Sequence, residues 1–221
     1  MKIRAQALLF DNDGTLLSSL DSVDRCWARW AEEYGITEEF GGVELHGRPA
    51  VEIVAELLPA DVVPEAVARI EELEVEDVPG GGAHLLPGTK SFLDSLPADR
   101  WAVVTSATRR LAEARLDAVG ILPKTLISAD DITRGKPDPE PYLLAARELG
   151  VDPAHCVVFE DAPAGLQAGR AAGMTTVALT TTHQAHELDA DLVVTDLSAL
   201  SALVTAGGVE ISVRRVDGGA R

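Results

Sequence analysis

Read as a string of apolar and polar positions, the chain alternates between short, nearly continuous apolar runs and longer stretches with helical spacing. The runs fall at residues 5–10, 101–105, 125–128, 156–159, 175–179 and 191–194. A run without polar alternation suits a strand buried on both faces, as strands are in parallel sheets. Helical patterns closed by a glycine lie between most of them, such as 109–119 before Gly120 and 139–149 before Gly150. That succession predicts an α/β fold built on a doubly wound parallel sheet. One stretch departs from it: residues 20–34, 49–58 and 64–77 are all helical in pattern, with no strand among them. Residues 14–19 before this block and the glycine-rich connector 79–84 after it read as hinges. The expected organisation is therefore a core of residues 1–17 and 86–221 with a small inserted all-helical cap, residues 18–85. Such a cap would lie over the carboxyl edge of the sheet, where open α/β sheets place their sites. Near the end, residues 209–215 alternate apolar with polar and suggest an edge strand.

Composition adds little, since 46% apolar and 25% charged residues in 221 are ordinary for a globular chain. Charge adds more. Nineteen basic against 36 acidic residues leave a formal charge of −17, a balance that repels nucleic-acid backbones and anionic membranes. No nucleic-acid or membrane partner is expected. No apolar stretch approaches the roughly 20 residues that span a bilayer, and the opening residues run into a strand too short for a signal peptide. A cytoplasmic monomer is the default expectation. Cys26 and Cys156 are far apart in apolar settings and read as core residues. The acids Asp61, Glu65, Glu71, Glu72, Glu74, Glu76 and Asp77, against Arg69, read as a solvated helix face. So acidic a chain would need a bound cation or a well-placed Lys or Arg to admit an anionic substrate.

Four local clusters stand at the ends of predicted strands. Asp11 and Asp13 in Phe10-Asp11-Asn12-Asp13-Gly14-Thr15 are carboxylates two residues apart, and a turn at Gly14 lets them surround one point. Crowded carboxylates repel one another, and a divalent cation with all-oxygen ligation, such as magnesium, relieves that. Val104-Thr105-Ser106-Ala107-Thr108 brings hydroxyls and free N–H groups to a helix start, which suits an anion and equally an N-cap. Gly135-Lys136-Pro137 fixes a lysine before a helix. Phe159-Glu160-Asp161-Ala162-Pro163 ends another apolar strand in adjacent acids. Each alone is ambiguous, but a doubly wound sheet gathers successive strand ends around one crevice.

In order and spacing, the four clusters resemble the motifs of the haloacid dehalogenase-like hydrolase superfamily over residues 5–200, with a helical insertion where that family carries its cap. Residues 10–19, 27–30, 46–48, 86–88, 104–106, 135–137 and 159–165 resemble its bacterial sugar- and hexitol-phosphate phosphatases; the yeast glycerol-3-phosphate and 2-deoxyglucose-6-phosphate phosphatases are a more distant match. The resemblance implies a phosphatase of small phosphate esters with Asp11 as nucleophile and Asp13 as general acid and base. It further implies Mg2+ held by the Asp11 carboxylate, the Asp13 backbone carbonyl, Asp161 and Glu160. Ser106 with the Ala107 N–H, and Lys136, would hold phosphoryl oxygens, with Thr105 the competing hydroxyl. His46 and Arg48 would act from the cap on the substrate. The related β-phosphoglucomutases look to carry a cap histidine ten residues after the second aspartate, where this chain has Val23, so hydrolysis is favoured over phosphoryl transfer to a sugar. A phosphoacceptor signalling module and a non-catalytic binding module are the alternatives from other classes.

Overall fold

A computed structural model of the chain describes residues 2–43, 45 and 49–214. Along the chain run β1 (Lys2–Ala5), β2 (Ala7–Phe10), β3 (Leu17–Ser18), α1 (Leu20–Tyr34), α2 (Thr37–Phe40), α3 (Ala50–Leu57) and α4 (Val63–Asp77). There follow β4 (His84–Leu85), α5 (Thr89–Leu93), β5 (Trp101–Val104), α6 (Arg109–Ala118), β6 (Leu126–Ile127), α7 (Glu140–Leu149) and β7 (Cys156–Glu160). The chain closes with α8 (Pro163–Ala171), β8 (Thr175–Leu179), β9 (Leu192–Val194), β10 (Leu200–Thr205) and β11 (Gly208–Val213). The fold is α/β. Its centre is a six-stranded parallel sheet in the order β6-β5-β2-β7-β8-β9. Successive residues of each strand enter opposite cores, which explains the unbroken apolar runs. Leu8, Phe10, Val157 and Phe159 fill one face, while Ala7, Leu9, Ala102 and Val158 fill the other. Phe10 stacks on Phe159 across the β2–β7 pair with ring centroids 4.6 Å apart. Because β2 is flanked by β5 and β7, the strand order reverses beside it, and its carboxyl end opens into a crevice.

Two expectations about strands are corrected. The apolar run 5–10 is not one strand: it divides at Gln6, and β1 leaves the central sheet to pair antiparallel with β11. The change is physical, since Lys2–Ala5 alternates exposed with buried whereas Ala7–Phe10 is buried throughout. The second correction concerns 209–215, expected at an edge. Its described part forms β11, which lies between β1 and β10 in a three-stranded antiparallel sheet. Ile211 turns into the main core and Glu210 receives Lys2 at 2.6 Å. The long helices lie where the spacing places them, and both cysteines are buried and free.

The helices α1, α3 and α4 share a core of their own. Cys26, Trp27, Trp30 and Ala31 recur on one face of α1 and meet Ile53 and Val54 of α3 and Ala66, Ile70 and Leu73 of α4. Trp30 is fully buried, and its indole N–H donates to the Ala66 carbonyl at 2.9 Å. The two connectors join rather than hang free: Leu17 and Ser18 of β3 pair antiparallel with Leu85 and His84 of β4. Among the described residues, no helix is long and apolar enough to cross a membrane. Replacing Trp30 by Ala empties one of the two indole sites of this helical core and removes the hydrogen bond to Ala66. It is expected to cost about 3–5 kcal/mol of stability in urea unfolding.

Candidate active site

The crevice at the carboxyl end of β2 collects the strand-end clusters. Asp11 follows β2 directly, and its N–H donates to the Phe159 carbonyl at 3.0 Å, tying it to β7. Glu160 ends β7 and Asp161 follows it. One carboxylate oxygen from each of Asp11, Glu160 and Asp161 lies within 4.8 Å of the others, and all three residues are buried. Into this group comes Lys136, from the loop before α7, with its peptide to Pro137 cis. Its ammonium donates to Asp11 Oδ1 at 2.6 Å, Glu160 Oε1 at 2.7 Å and the Val104 carbonyl at 3.0 Å. A lysine has three protons to donate, and here each has an acceptor.

Electrostatics follow from that crowding. Burial raises the Asp11 carboxyl well above its ordinary range; Lys136 opposes this, while Glu160 and Asp161 add to it. Burial, then Glu160, push Asp161 up to about 7. Lys136 is itself raised, because Asp11 and Glu160 outweigh the burial that opposes its charge. With all three carboxyls ionised, the one ammonium leaves the pocket net negative, and a further cation would favour that ionised state.

Side chains that the motif reading did not single out brace the acids. Tyr142 of α7 donates to Glu160 Oε1 at 2.8 Å. Thr15 donates to Asp161 Oδ1 at 3.2 Å, and Thr182, after β8, donates to Asp161 Oδ2. Two glycines make room. Gly14 has a φ of 89°, and a Cβ there would overlap the Asp161 carboxylate. At Gly165, in the first turn of α8, a Cβ would overlap Glu160.

Asp13 lies beside the cluster rather than in it. Its Oδ1 accepts from Ser19 Oγ at 2.7 Å and from Arg115 at 3.0 Å, and its Oδ2 accepts from Asn12 at 3.2 Å. Arg115, on α6, also reaches Glu74 of α4 at 3.3 Å. The solvated face expected for these acids holds at Asp61, Glu65, Glu72 and Glu76, which are exposed, but is corrected at Glu74: it is buried and ion-paired, because that side of the helix packs against α6. Asp77 likewise bonds Ser22 and Arg25 of α1. The clue lay in spacing. Glu74 falls on the stripe Ala66, Ile70, Leu73 and Arg115 on the stripe Leu111, Ala112, Leu116, so each is a charge on a buried helix face.

Asp11, Asp13, Lys136, Glu160 and Asp161, with Arg115 and Glu74, line a cavity of about 300 Å³, large enough for a small ligand. Thr105, Ser106 and Ala107 line it as well. Thr105 is buried, and its hydroxyl accepts from the Ala107 N–H at 3.1 Å; Ser106 is exposed. The N–H expected to face a phosphoryl oxygen is thus engaged by Thr105. Val23, Trp27, Ala50 and Ile53 supply an apolar wall from the helical block, and Glu71 an acid. His46 and Arg48 lie outside the described residues.

With this geometry in view, the sequence comparison decides the family. The model of the haloacid dehalogenase-like hydrolases matches residues 5–173, and all four strand-end clusters fall inside that span. The chain belongs to the haloacid dehalogenase-like hydrolases. Among its relatives in this family is hexitol phosphatase A of Escherichia coli (strain K12), 36% identical over 93% of this chain and 98% of its own length. Validoxylamine A 7'-phosphate phosphatase of Streptomyces hygroscopicus subsp. limoneus is 39% identical over 86% and 93%. Among solved structures, CbbY from Rhodobacter sphaeroides in complex with phosphate superposes with a TM-score of 0.74 at 25% identity, covering 88% of this chain and 95% of that one.

The glycine at the start of α8 gives a test of the packing around the acids. Gly165→Ala drives a methyl into the buried Glu160 carboxylate and is expected to destabilise the protein by about 1–3 kcal/mol, read by urea unfolding.

Proposed function

We propose that this haloacid dehalogenase-like hydrolase is a Mg2+-dependent phosphatase of small phosphate monoesters, in particular sugar or polyol phosphates, working through an aspartyl-phosphate on Asp11. The observation that carries the reading is the buried group Asp11–Glu160–Asp161 around Lys136, at the foot of a cavity sized for a small ester. Relatives named as phosphatases of a hexitol and of a validoxylamine phosphate support the substrate class.

The donors present fit magnesium: they are hard oxygens, close together, and short of positive charge. Asp11, Asp161, Glu160 and the Asp13 backbone carbonyl would hold it. When bound, the ion supplies charge stabilisation to the phosphoryl group as it transfers. The rest falls to the protein. Lys136, donating to Asp11 Oδ1, fixes the carboxylate and leaves Oδ2 to attack phosphorus. The bond from phosphorus to the ester oxygen breaks, and Asp13 gives that oxygen its proton. Asp13 then takes a proton from water as the water oxygen attacks the aspartyl-phosphate, freeing phosphate and restoring Asp11. Thr105, Ser106 and the Ala107 N–H, at the start of α6, are the groups that would meet the phosphoryl oxygens, the Ala107 N–H exchanging its bond to Thr105. We assign residues 18–85 the part of a cap that shuts the crevice from water, and His46 and Arg48 the part of its substrate-recognising residues. Val23 lines the cavity and has no proton to relay to a sugar hydroxyl, which favours water as acceptor.

Asp11→Asn is expected to abolish Mg2+-dependent phosphate release from p-nitrophenyl phosphate and from a panel of sugar and polyol phosphates. A kcat within a few-fold of the parent overturns the nucleophile assignment. Metal binding also has a pH signature. With its folded pKa near 7 against an ordinary 3.8, Asp161 favours the folded metal-free protein when protonated, and that contribution is lost as pH rises through about 7. Mg2+ is therefore expected to raise the Tm more at pH 8 than at pH 6 in thermal scans.

A further inference from the structure

Arg115 belongs to none of the strand-end clusters, yet it touches the residue on which proton transfer depends. It is 4% exposed, in a setting where a lone guanidinium would be very costly. A guanidinium that serves only as an ion pair tends to meet one carboxylate with two parallel N–H groups. Arg115 does otherwise. One terminal nitrogen donates to Asp13 at 3.0 Å, the other to Glu74 at 3.3 Å, and its buried Nε has no acceptor. The arginine thus spans two acids from different elements and leaves a donor unused. All three residues line the cavity that holds Asp11. Ser19 and Asn12 complete the set of donors around Asp13, so both of its carboxylate oxygens are fixed.

Resting on the phosphatase reading above, we propose that Arg115 is the positioning residue for Asp13, holding its carboxyl group in the orientation from which the protonated form delivers its proton to the leaving oxygen, with Glu74 of α4 holding Arg115 in turn. The alignment then exists only while the helical block is seated against α6. An ester whose leaving group is a weak acid depends on that proton in the transition state, by typically 10²–10⁴-fold, whereas a leaving group stable as an anion depends on it far less. A misplaced Asp13 therefore penalises poor leaving groups selectively.

The test is the dependence of kcat/KM on leaving-group acidity across substituted phenyl phosphates, from p-nitrophenyl phosphate to phenyl phosphate. These esters share the phenyl phosphate core and differ in the ring substituent, and kcat/KM ends at leaving-group departure, so hydrolysis of the aspartyl-phosphate does not enter. Arg115→Met is expected to lower the phenyl to p-nitrophenyl ratio by about tenfold or more, within the range a general acid supplies. Arg115→Lys, which keeps a donor, should restore part of it, and Glu74→Gln should shift the ratio the same way by less. Equal losses on all esters in Arg115→Met overturn the proposal and leave Arg115 a structural ion pair. If that variant does not fold, Glu74→Gln decides, and an unchanged ratio there overturns it. A parent enzyme inactive on every ester, by contrast, overturns the phosphatase reading itself and this inference with it.

Discussion

Three buried carboxylates share a single ammonium at the carboxyl end of the sheet, and much of the surrounding architecture serves to hold them there. Left alone, such acids would protonate or separate. They stay together because β2 and β7 are adjacent and parallel, because Tyr142, Thr15 and Thr182 donate to them, and because two glycines leave space. The apolar layers beneath, with Phe10 stacked on Phe159, keep the two strand ends in register. Stability and chemistry therefore oppose one another at this point, and a divalent cation would reconcile them.

Much of this was legible in the sequence because it is local. Each strand-end cluster is a handful of consecutive residues, and unbroken apolar runs mark the strands that carry them. What stayed hidden is assembled from distant positions. Tyr142 looks like any core aromatic of α7, and Thr182 like any loop hydroxyl, until the fold sets them against Glu160 and Asp161. Arg115 and Glu74 look like surface charges by residue type, although their places on apolar helix faces say otherwise. The second sheet was obscured for another reason. Its first strand runs into β2 with only Gln6 between, and pairing between the two ends of a chain leaves no trace in either segment alone.

The acidity of the chain takes on a local meaning in this arrangement. A charge of −17 does not favour phosphate binding, yet the acids nearest the crevice are committed: Glu160 to Lys136 and Tyr142, Glu74 and Asp13 to Arg115. Attraction for a phosphate ester must arise within a few ångströms of Asp11, where screening by water is weakest.

The short ribbon of β3 and β4 carries one more consequence. The chain passes into the helical block and out of it through two segments hydrogen-bonded side by side, Leu17 opposite Leu85 and Ser18 opposite His84. Two separate tethers would let the block tilt and shear freely; two joined ones act as a single pivot. Every strand of the central sheet lies outside the stretch between Ser18 and His84, so helices in that stretch can differ in number or length without a change of strand order, although the tie from Glu74 to Arg115 goes with them.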